Sequence, residues 1–415
     1  MNRFAVLLSS AILVSACRDP NLQGPARTLA QSSAGAYNLV DLGTLDTTHN
    51  GGGGGSQAWA ANSQGQVVGF SRTGIGEPSP YGAQHAFLWE QGVMTDLGTL
   101  GGTPNEQSTA RFINEGGQIV GWSVPYLSAA TRAVLWDGGV IHDIGTLGGD
   151  RSMPSGLSDA GYVVGSSRIP SGASHAFLWL NGVMQDLGTL GGNASSAAAV
   201  NDAGQVAGES QTAAGDTHAF LWDGAMHDLG TLGGPSSGAA AISAQGVVTG
   251  WSTDASGQQH GFLWSNGVMQ DLGLLPGYAT SSGLLVNTAS EVAGQVSSPT
   301  SPYTRGFFWA NGVMQDLGTL GGQNTLVSDV DAQGRVIGTT TASTCLCSTR
   351  AFIWGDGMLR DLGALPGYLL AEAKGLNSRG DVVGRSIWSV DSDLWRATLW
   401  RRAAGAPGPR MVASE

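Results

Sequence analysis

The chain has 415 residues and a formal net charge of −12, and Lys374 is its only lysine among 19 Lys and Arg residues. An acidic chain without a basic run excludes nucleic acid as an expected partner and offers no polybasic patch to a membrane. A hydrophobic content of 41% with 13 Trp favours a substantial core over general disorder. The length fits two or three ordinary domains or one large repeat array.

The first residues, "MNRFAVLLSSAILVSAC", have the pattern of an export signal, because a positive Arg3 precedes an apolar stretch too short to span a bilayer. The end of this stretch resembles the lipobox of bacterial lipoproteins, in which the cysteine, here Cys17, is lipidated. We expect residues 1–16 to be a signal peptide and 17–36 a lipid-anchored, flexible tether. The protein is then exported and held by its lipid alone at the cell surface or a periplasmic face. Ordinary signal cleavage that leaves Cys17 free is the alternative.

Three short phrases recur along the rest of the chain, and each occurs eight times. A V-V-G-type glycine precedes an F-L-W-type tryptophan, and a D-L-G aspartate follows it. The tryptophans are 42 to 47 residues apart. They are Trp89, Trp136, Trp179, Trp222, Trp264, Trp309, Trp354 and Trp400. A fixed period of this length is the signature of a repeat architecture.

One period contains four short strands. The first turn has an N/S/D-x-x-G pattern, as at Asn201 to Gly204, and the second is often Asn-Gly, as at Asn181-Gly182. The strands are apolar along their length, which predicts that both faces of the sheet are covered. A four-stranded sheet that is covered on both sides by copies of itself is a propeller blade, and a period of about 45 residues fits one.

The chain ends predict how the ring closes. Residues 37–45, "YNLVDLGTL", form a lone last strand, and residues 396–400, "RATLW", form a third strand that has no D-L-G partner after it. The N-terminal strand can complete the final blade and leave no free edge. We therefore predict an all-β, eight-bladed β-propeller of four-stranded blades over residues 37–400, followed by a loose C-terminal tail, 401–415.

The repeated phrase contains a histidine and an aspartate, which together resemble a catalytic pair. In the hairpin around Asn181-Gly182, Phe177 faces Asp186, and His175 is diagonal to this aspartate on the same face. Arginine replaces histidine in some repeats, so the position needs a donor to a carboxylate and not a base or a metal ligand. We expect structural blade pairs and no metal site, with catalytic dyads as the alternative. The pairs are His85–Asp96, His175–Asp186, His218–Asp228, His260–Asp271, Arg305–Asp316 and Arg350–Asp361.

Function is then expected where the repeats differ. Both tight turns of a unit lie on one rim of the ring, the tight-turn rim. The longer and variable connections lie on the opposite rim, which we call the irregular rim. Aromatic residues with an arginine suit sugar stacking or peptide binding, and simple packing of loops is the alternative. The candidate binding residues are Tyr81, Trp122, Tyr126, Trp251, Tyr278, Tyr303, Tyr368, Arg385 and Trp388.

The repeated phrase, as in "HAFLWLNGVMQDLGTLGG" at 175–192, is similar to the HAF family of bacterial extracellular repeats, and the resemblance covers about 37–400. It implies an exported repeat protein without a catalytic mechanism to carry over. We predict a binding or adhesion module for a glycan or a surface protein. The alternative is an exported polysaccharide lyase or glycosidase, although no catalytic motif is found and none of the rim acids, such as Glu209, forms a recognisable pair.

No cofactor is expected. The glycine pairs of "LGTLGG" have no Lys-Ser/Thr after them, so they predict tight crossings between blades and not a phosphate loop. Cys345 and Cys347 are too few ligands for a metal site, and we expect loop residues, with a strained local disulfide as the alternative. The acidic loops lack the spacing of a calcium site.

Overall fold

The computed structural model describes residues 36–46, 55–74, 83–101, 106–125, 130–341, 349–389 and 394–403. These residues form 32 strands in eight four-stranded antiparallel sheets. The protein is an all-β, eight-bladed β-propeller, as the sequence predicts. In the residues described, no helix is long and apolar enough to span a membrane.

Each of blades 1 to 7 contains four consecutive strands, which run from the central channel outwards. Blade 1 has β2 (Ser56–Ala61), β3 (Val67–Arg72), β4 (Gln84–Glu90) and β5 (Val93–Asp96), and blade 2 has β6 (Gln107–Ile113), β7 (Ile119–Val124), β8 (Arg132–Asp137) and β9 (Val140–Asp143). Blade 3 has β10 (Ser152–Leu157), β11 (Val163–Arg168), β12 (Ser174–Leu180) and β13 (Val183–Asp186), and blade 4 has β14 (Gly191–Val200), β15 (Val206–Thr212), β16 (Thr217–Trp222) and β17 (Met226–Asp228).

The later blades repeat this order. Blade 5 has β18 (Gly233–Ile242), β19 (Val248–Asp254), β20 (Gln259–Ser265) and β21 (Val268–Asp271), and blade 6 has β22 (Thr280–Val286), β23 (Val292–Ser298), β24 (Ser301–Ala310) and β25 (Val313–Asp316). Blade 7 has β26 (Asn324–Val330), β27 (Val336–Thr341), β28 (Arg350–Gly355) and β29 (Met358–Asp361). Blade 8 has β30 (Leu370–Leu376), β31 (Val382–Ile387), β32 (Trp395–Arg402) and, outermost, β1 (Tyr37–Asp41).

The N-terminal strand closes the ring as predicted. β1 pairs antiparallel with β32, so that Tyr37 lies opposite Arg402. Hydrogen bonds also tie blade 8 to blade 1. The Asn377 side-chain amide donates to the Asn62 carbonyl at 2.9 Å, and the Ala397 backbone N–H donates to Ser56 Oγ at 2.9 Å. No blade edge is therefore left open at the closure.

The ends of the closing strands differ slightly from the prediction. β1 ends at Asp41 and not at residue 45, because the backbone N–H of Gly43 donates to the Asp41 carboxylate at 2.8 Å and Gly43 adopts φ +82°. This left-handed turn carries the chain out of the sheet. β32 extends to Arg402, two residues beyond the predicted end of the strand.

The core consists of apolar clusters between neighbouring blades. In one of them, Val164 and Leu178 of blade 3 pack against Val206 and Phe220 of blade 4. Phe220 is fully buried, and burial of a phenylalanine side chain stabilises a fold by roughly 1.5–3 kcal/mol. Because the same apolar phrase recurs in each blade, both faces of the sheets are covered.

Every innermost strand contains a β-bulge at the same position. In blade 1, Ala58 packs towards blade 8 and Ala60 towards blade 2, so Trp59 between them projects into the central channel. The V-V-G glycines allow this arrangement. A Cβ on Gly208, for example, would overlap the backbone oxygen of Ser196 on the innermost strand, and all eight marker glycines meet the same obstacle.

Candidate functional site

The structure brings the predicted His–Asp and Arg–Asp partners together. In seven blades the shortest nitrogen–oxygen distance is 2.7 to 3.2 Å. In blade 3, His175 Nδ1 donates to Asp186, whose carboxylate also accepts the backbone N–H of Gly188 at 2.8 Å. The aspartate is thus engaged by its own strand and by the turn that follows. The pairs lie one in each blade and do not converge on a common point.

Blade-to-blade serines are structural residues that the sequence analysis missed. Ser237 at the start of blade 5 donates to the carbonyl of Gly230 at 2.6 Å and accepts the backbone N–H of Ala219 at 2.9 Å. Its hydroxyl therefore joins β16 of blade 4, and the D-L-G turn that follows β17, to blade 5. The equivalent residues that donate to the D-L-G carbonyl in other blades are Ser56, Ser108, Ser152, Ser195, Ser281 and Thr325.

The predicted residues of the irregular rim do not form one cluster. Tyr368 and Trp388 meet edge to face, with ring centroids 5.7 Å apart, and Trp388 is 49% exposed. Tyr278 packs instead against the apolar cluster of blades 5 and 6. Trp122 and Tyr303 are half-buried in their strands. Tyr81, Tyr126, Cys17, Cys345 and Cys347 lie outside the described residues.

Trp251 lies beside a rim acid. Both Trp251 Nε1 and Glu209 Oε2 of the neighbouring blade come within 3.0 Å of the point that a Cβ on Gly238 would occupy. Because Gly238 has no side chain, Trp251 and Glu209 have room at the inner edge of their blades. Glu209 also lines a cavity of about 220 Å³ between blades 3 and 4, together with the hydroxyl residues Ser166, Ser174, Ser196, Ser210 and Thr217.

The channel itself is strongly asymmetric. The bulge residue of each innermost strand faces the channel and is half-buried. In order from blade 1 to blade 8 these residues are Trp59, Arg111, Ser155, Ala198, Ala240, Leu284, Ser328 and Lys374. Blades 3 to 7 therefore present small or apolar side chains, whereas blades 8, 1 and 2 present two cations around an aromatic ring. We call Lys374, Trp59 and Arg111 the cationic wall.

The side chains of the cationic wall contact one another. Arg111 Cζ lies 3.8 Å from the centroid of the Trp59 ring, and Lys374 Nζ lies 5.6 Å from it. Both distances are within the range of cation–π interactions. Among the described residues, Arg111 has no carboxylate partner, and burial lowers its pKa without removing its charge. The indole N–H of Trp59 has no hydrogen-bond acceptor in the described structure.

A buried ion network extends the cationic wall towards the irregular rim. Glu372 accepts two hydrogen bonds from Arg385, at 3.0 and 3.1 Å, and lies 3.0 Å from Lys374 Nζ. Burial alone would raise the pKa of Glu372, but the charges and hydrogen bonds of Arg385 and Lys374 outweigh it, so this pKa is lowered. Arg385 Cζ is also 5.5 Å from the ring centroid of Trp395.

This arrangement is suited to holding an anion and not to acid–base catalysis. Glu372 is kept ionised by its partners, so it is a poor proton donor at neutral pH. Within the described ranges, no group of three or more His, Cys, Asp or Glu side chains could hold a metal ion. Of the predicted rim residues, Arg385 belongs to the network, whereas sequence reasoning missed Trp59, Arg111, Glu372 and Lys374.

Fold and site together define an eight-bladed β-propeller with a cationic, aromatic wall on one side of its channel. No model of a protein family matches the chain, and a search of curated proteins gives no match either. The resemblance to the HAF family therefore stays a prediction.

Comparison with solved structures gives distant similarities. The chain is similar to the β-propeller domain of the Trilobed protease from Pyrococcus furiosus, at 9% identity and a TM-score of 0.45, covering 85% of this chain and 99% of that one. It is similar to a puromycin-hydrolysing peptidase of Mycobacterium tuberculosis, at 14% identity and a TM-score of 0.44, over 85% and 60% of the two chains. It is also similar to TolB from Acinetobacter baumannii, at 12% identity and a TM-score of 0.39, over 71% and 79%. At these values the function has to be inferred from the residues of this chain.

Proposed function

We propose that the protein is an exported binding module that holds an acidic glycan in its channel, against the cationic wall. The observation that carries the proposal is Arg111, a half-buried cation that stacks on Trp59 and has no carboxylate partner among the described residues. Desolvation of an unpaired charge costs free energy, which an anionic ligand offsets. A uronate sugar supplies a carboxylate for the guanidinium and an apolar face for the indole.

A path leads from the irregular rim to this wall along blade 8. Trp388 and Tyr368 lie at the rim, Arg385 and Glu372 come next, and Lys374 lies in the channel. The path thus has aromatic side chains at the rim and cationic side chains nearer the channel, and both kinds of group can contact acidic sugars. The opposite side of the channel, with Ser155, Ala198 and Ala240 of the bulge row, leaves space for the ligand.

The expected export and lipid anchor would agree with this orientation. β1 begins at Tyr37, which lies at the tight-turn rim beside Arg402. A lipid-anchored tether over residues 17–36 would join the propeller at this rim, and the irregular rim would then face away from the membrane. Extracellular polysaccharide would reach the channel from that side.

The proposal is tested by binding of the purified protein to acidic and neutral polysaccharides, for example polygalacturonate and a neutral galactan. We expect saturable binding of the acidic polymer only, weakened roughly ten- to hundredfold by Trp59→Ala or Arg111→Gln, because one charge-assisted contact contributes about 1.5–3 kcal/mol. Trp251→Ala and Arg360→Gln are the matched controls, since neither residue belongs to the wall, and binding should persist in both.

Four outcomes would contradict the proposal. Equal binding of neutral and acidic polymers would mean that the charge of Arg111 is not required. Loss of binding in the control variants would place the site elsewhere. Binding of acidic peptides without any binding of polysaccharide assigns the site to a protein partner. Turnover of the bound polymer, measured as new reducing ends or unsaturated uronates, would instead support the enzyme alternative.

A further inference from the structure

A second cavity lies at the tight-turn rim, opposite the irregular rim, in the seam between blades 8 and 1. It has a volume of about 570 Å³. We call it the seam cleft. Its lining residues are Gln64, Gly65, Gln91, Arg379, Asp381, Arg401, Arg402 and Ala403.

A contact that six other blades make is missing at this seam. In six blades, the residue after the N-x-x-G turn extends over the turn glycine of the next blade. Gln118 Oε1, for example, lies 3.0 Å from the point that a Cβ on Gly161 would occupy. The six covering residues are Gln66, Gln118, Tyr162, Gln205, Glu291 and Arg335. A long side chain therefore normally closes the seam.

Blade 8 has the short Asp381 at this position. The Asn377 amide donates to its carboxylate at 3.2 Å, and the backbone N–H of Arg402 donates to the other oxygen at 2.8 Å. These bonds hold the carboxylate on blade 8, so it does not cover Gly65 of blade 1. Arg379 reaches across instead, with Nη2 3.1 Å from the point that a Cβ on Gly65 would occupy.

The cleft carries a surplus of positive charge. Three arginines and one aspartate line it, in a chain whose formal net charge is −12. The Arg379 side chain is 52% exposed, and its Nε is 3.7 Å from Asp381, beyond hydrogen-bond distance. Arg401 lies over the ring of Trp89 and forms no ion pair with a described residue. Guanidinium groups of both residues are thus available to a ligand.

We propose that the seam cleft binds a phosphate-type oxyanion through Arg379 and Arg401. Planar guanidinium groups match the oxygens of such an anion with paired hydrogen bonds. The site is distinct from the cationic wall, and the proposal stands whether or not a glycan binds in the channel. The anion belongs either to a soluble phosphate compound or to a phospholipid headgroup, because the N-terminal strand begins at the same rim.

The test is calorimetric titration of the full chain with pyrophosphate, together with co-flotation with phosphatidylcholine vesicles that contain or lack phosphatidylglycerol. We expect saturable binding of pyrophosphate, weakened about tenfold or more in Arg379→Gln and Arg401→Gln. Arg360→Gln, on the outermost strand of blade 7, is the matched control and should bind as the parent does. Thermal unfolding of each variant reports whether it is folded.

The two sources of the anion give different results. Arginine-dependent binding of pyrophosphate identifies a soluble ligand, and arginine-dependent binding of anionic vesicles alone identifies a headgroup. The proposal is overturned if neither probe binds, or if Arg360→Gln loses binding as much as the cleft variants. It is also overturned if Arg111→Gln abolishes pyrophosphate binding while the cleft variants retain it, because the anion then occupies the channel.

Discussion

The serine at the blade junction provides a quantitative test of how the ring is held together. Ser237 is fully buried, and its hydroxyl satisfies the Gly230 carbonyl and the Ala219 backbone N–H. Ser237→Ala removes the partner of the buried Ala219 N–H and of the partly buried Gly230 carbonyl, and each loss costs about 1–3 kcal/mol. After allowance for the hydroxyl that no longer needs burial, we expect the free energy of unfolding to fall by about 2–4 kcal/mol.

The neighbouring serine is the matched control. In the described structure the hydroxyl of Ser236 makes no hydrogen bond, so Ser236→Ala should change the free energy of unfolding by less than about 0.5 kcal/mol. Urea denaturation of the two variants and the parent gives both values. Equal stability of Ser237→Ala and Ser236→Ala would refute the role assigned to the junction hydroxyl. Blade 8 has Ala371 at this position, and there the Trp400 indole N–H donates to the D-L-G carbonyl of Gly363 at 3.1 Å.

Four further variants test three separate features. Burial raises the pKa of Asp329 to about 6, against a usual value of 3.8, so ionisation destabilises the fold as the pH rises from 4 to 6. Denaturation at pH 4 and pH 7 should show the stability of Asp329→Asn rising by about 2 kcal/mol relative to the parent between these values, and no gain would refute the raised pKa. His175→Arg should keep the bond to Asp186 and leave thermal stability nearly unchanged, whereas His175→Ala costs about 1 kcal/mol because the aspartate is partly exposed. Gly208→Ala should destabilise by about 3 kcal/mol in urea, since its methyl group overlaps the Ser196 carbonyl oxygen, and a stable variant would show that the bulge can shift.

The fold was predictable because the sequence pattern that specifies a blade is repeated eight times. A constant period, apolar strands and Asn-Gly turns all agree, and the unpaired strands at the two ends specify closure. The register at Asn181-Gly182 follows from the turn alone, so the pairings of Phe177 with Asp186 and of Trp179 with Met184 are as expected. Both turn residues have positive φ, +49° and +88°, as this turn type requires.

The cationic wall was not predictable in the same way, because it depends on where the innermost strands bulge. A bulge inserts a residue without any change in composition, so Trp59 and Arg111 look like ordinary strand residues. Only an alignment of the eight innermost strands shows that this one column changes from Trp, Arg and Lys to Ala and Ser. The seam cleft was harder still to predict from the sequence, because it depends on a short residue, Asp381, at a position where other blades have a long side chain.

Tyr278 shows how a local turn determines the surroundings of a predicted binding residue. An aromatic residue in an irregular "LPGY" junction looks like a binding residue, but the Pro-Gly turn directs it onto the core. Gly277 adopts φ +86°, and the Tyr278 backbone N–H donates to the Leu275 carbonyl at 3.1 Å. The turn thus places the ring against the apolar cluster between blades 5 and 6.

The most direct test of the proposed function is whether Arg111 makes the protein prefer an acidic ligand to a neutral one. Calorimetry would compare an acidic oligogalacturonate with its neutral methyl ester, which has nearly the same shape, on the parent protein and on Arg111→Gln. We expect the parent to bind the acid about tenfold more tightly than the ester and Arg111→Gln to bind both alike. An undiminished preference for the acid in Arg111→Gln, or no preference in the parent, would contradict it.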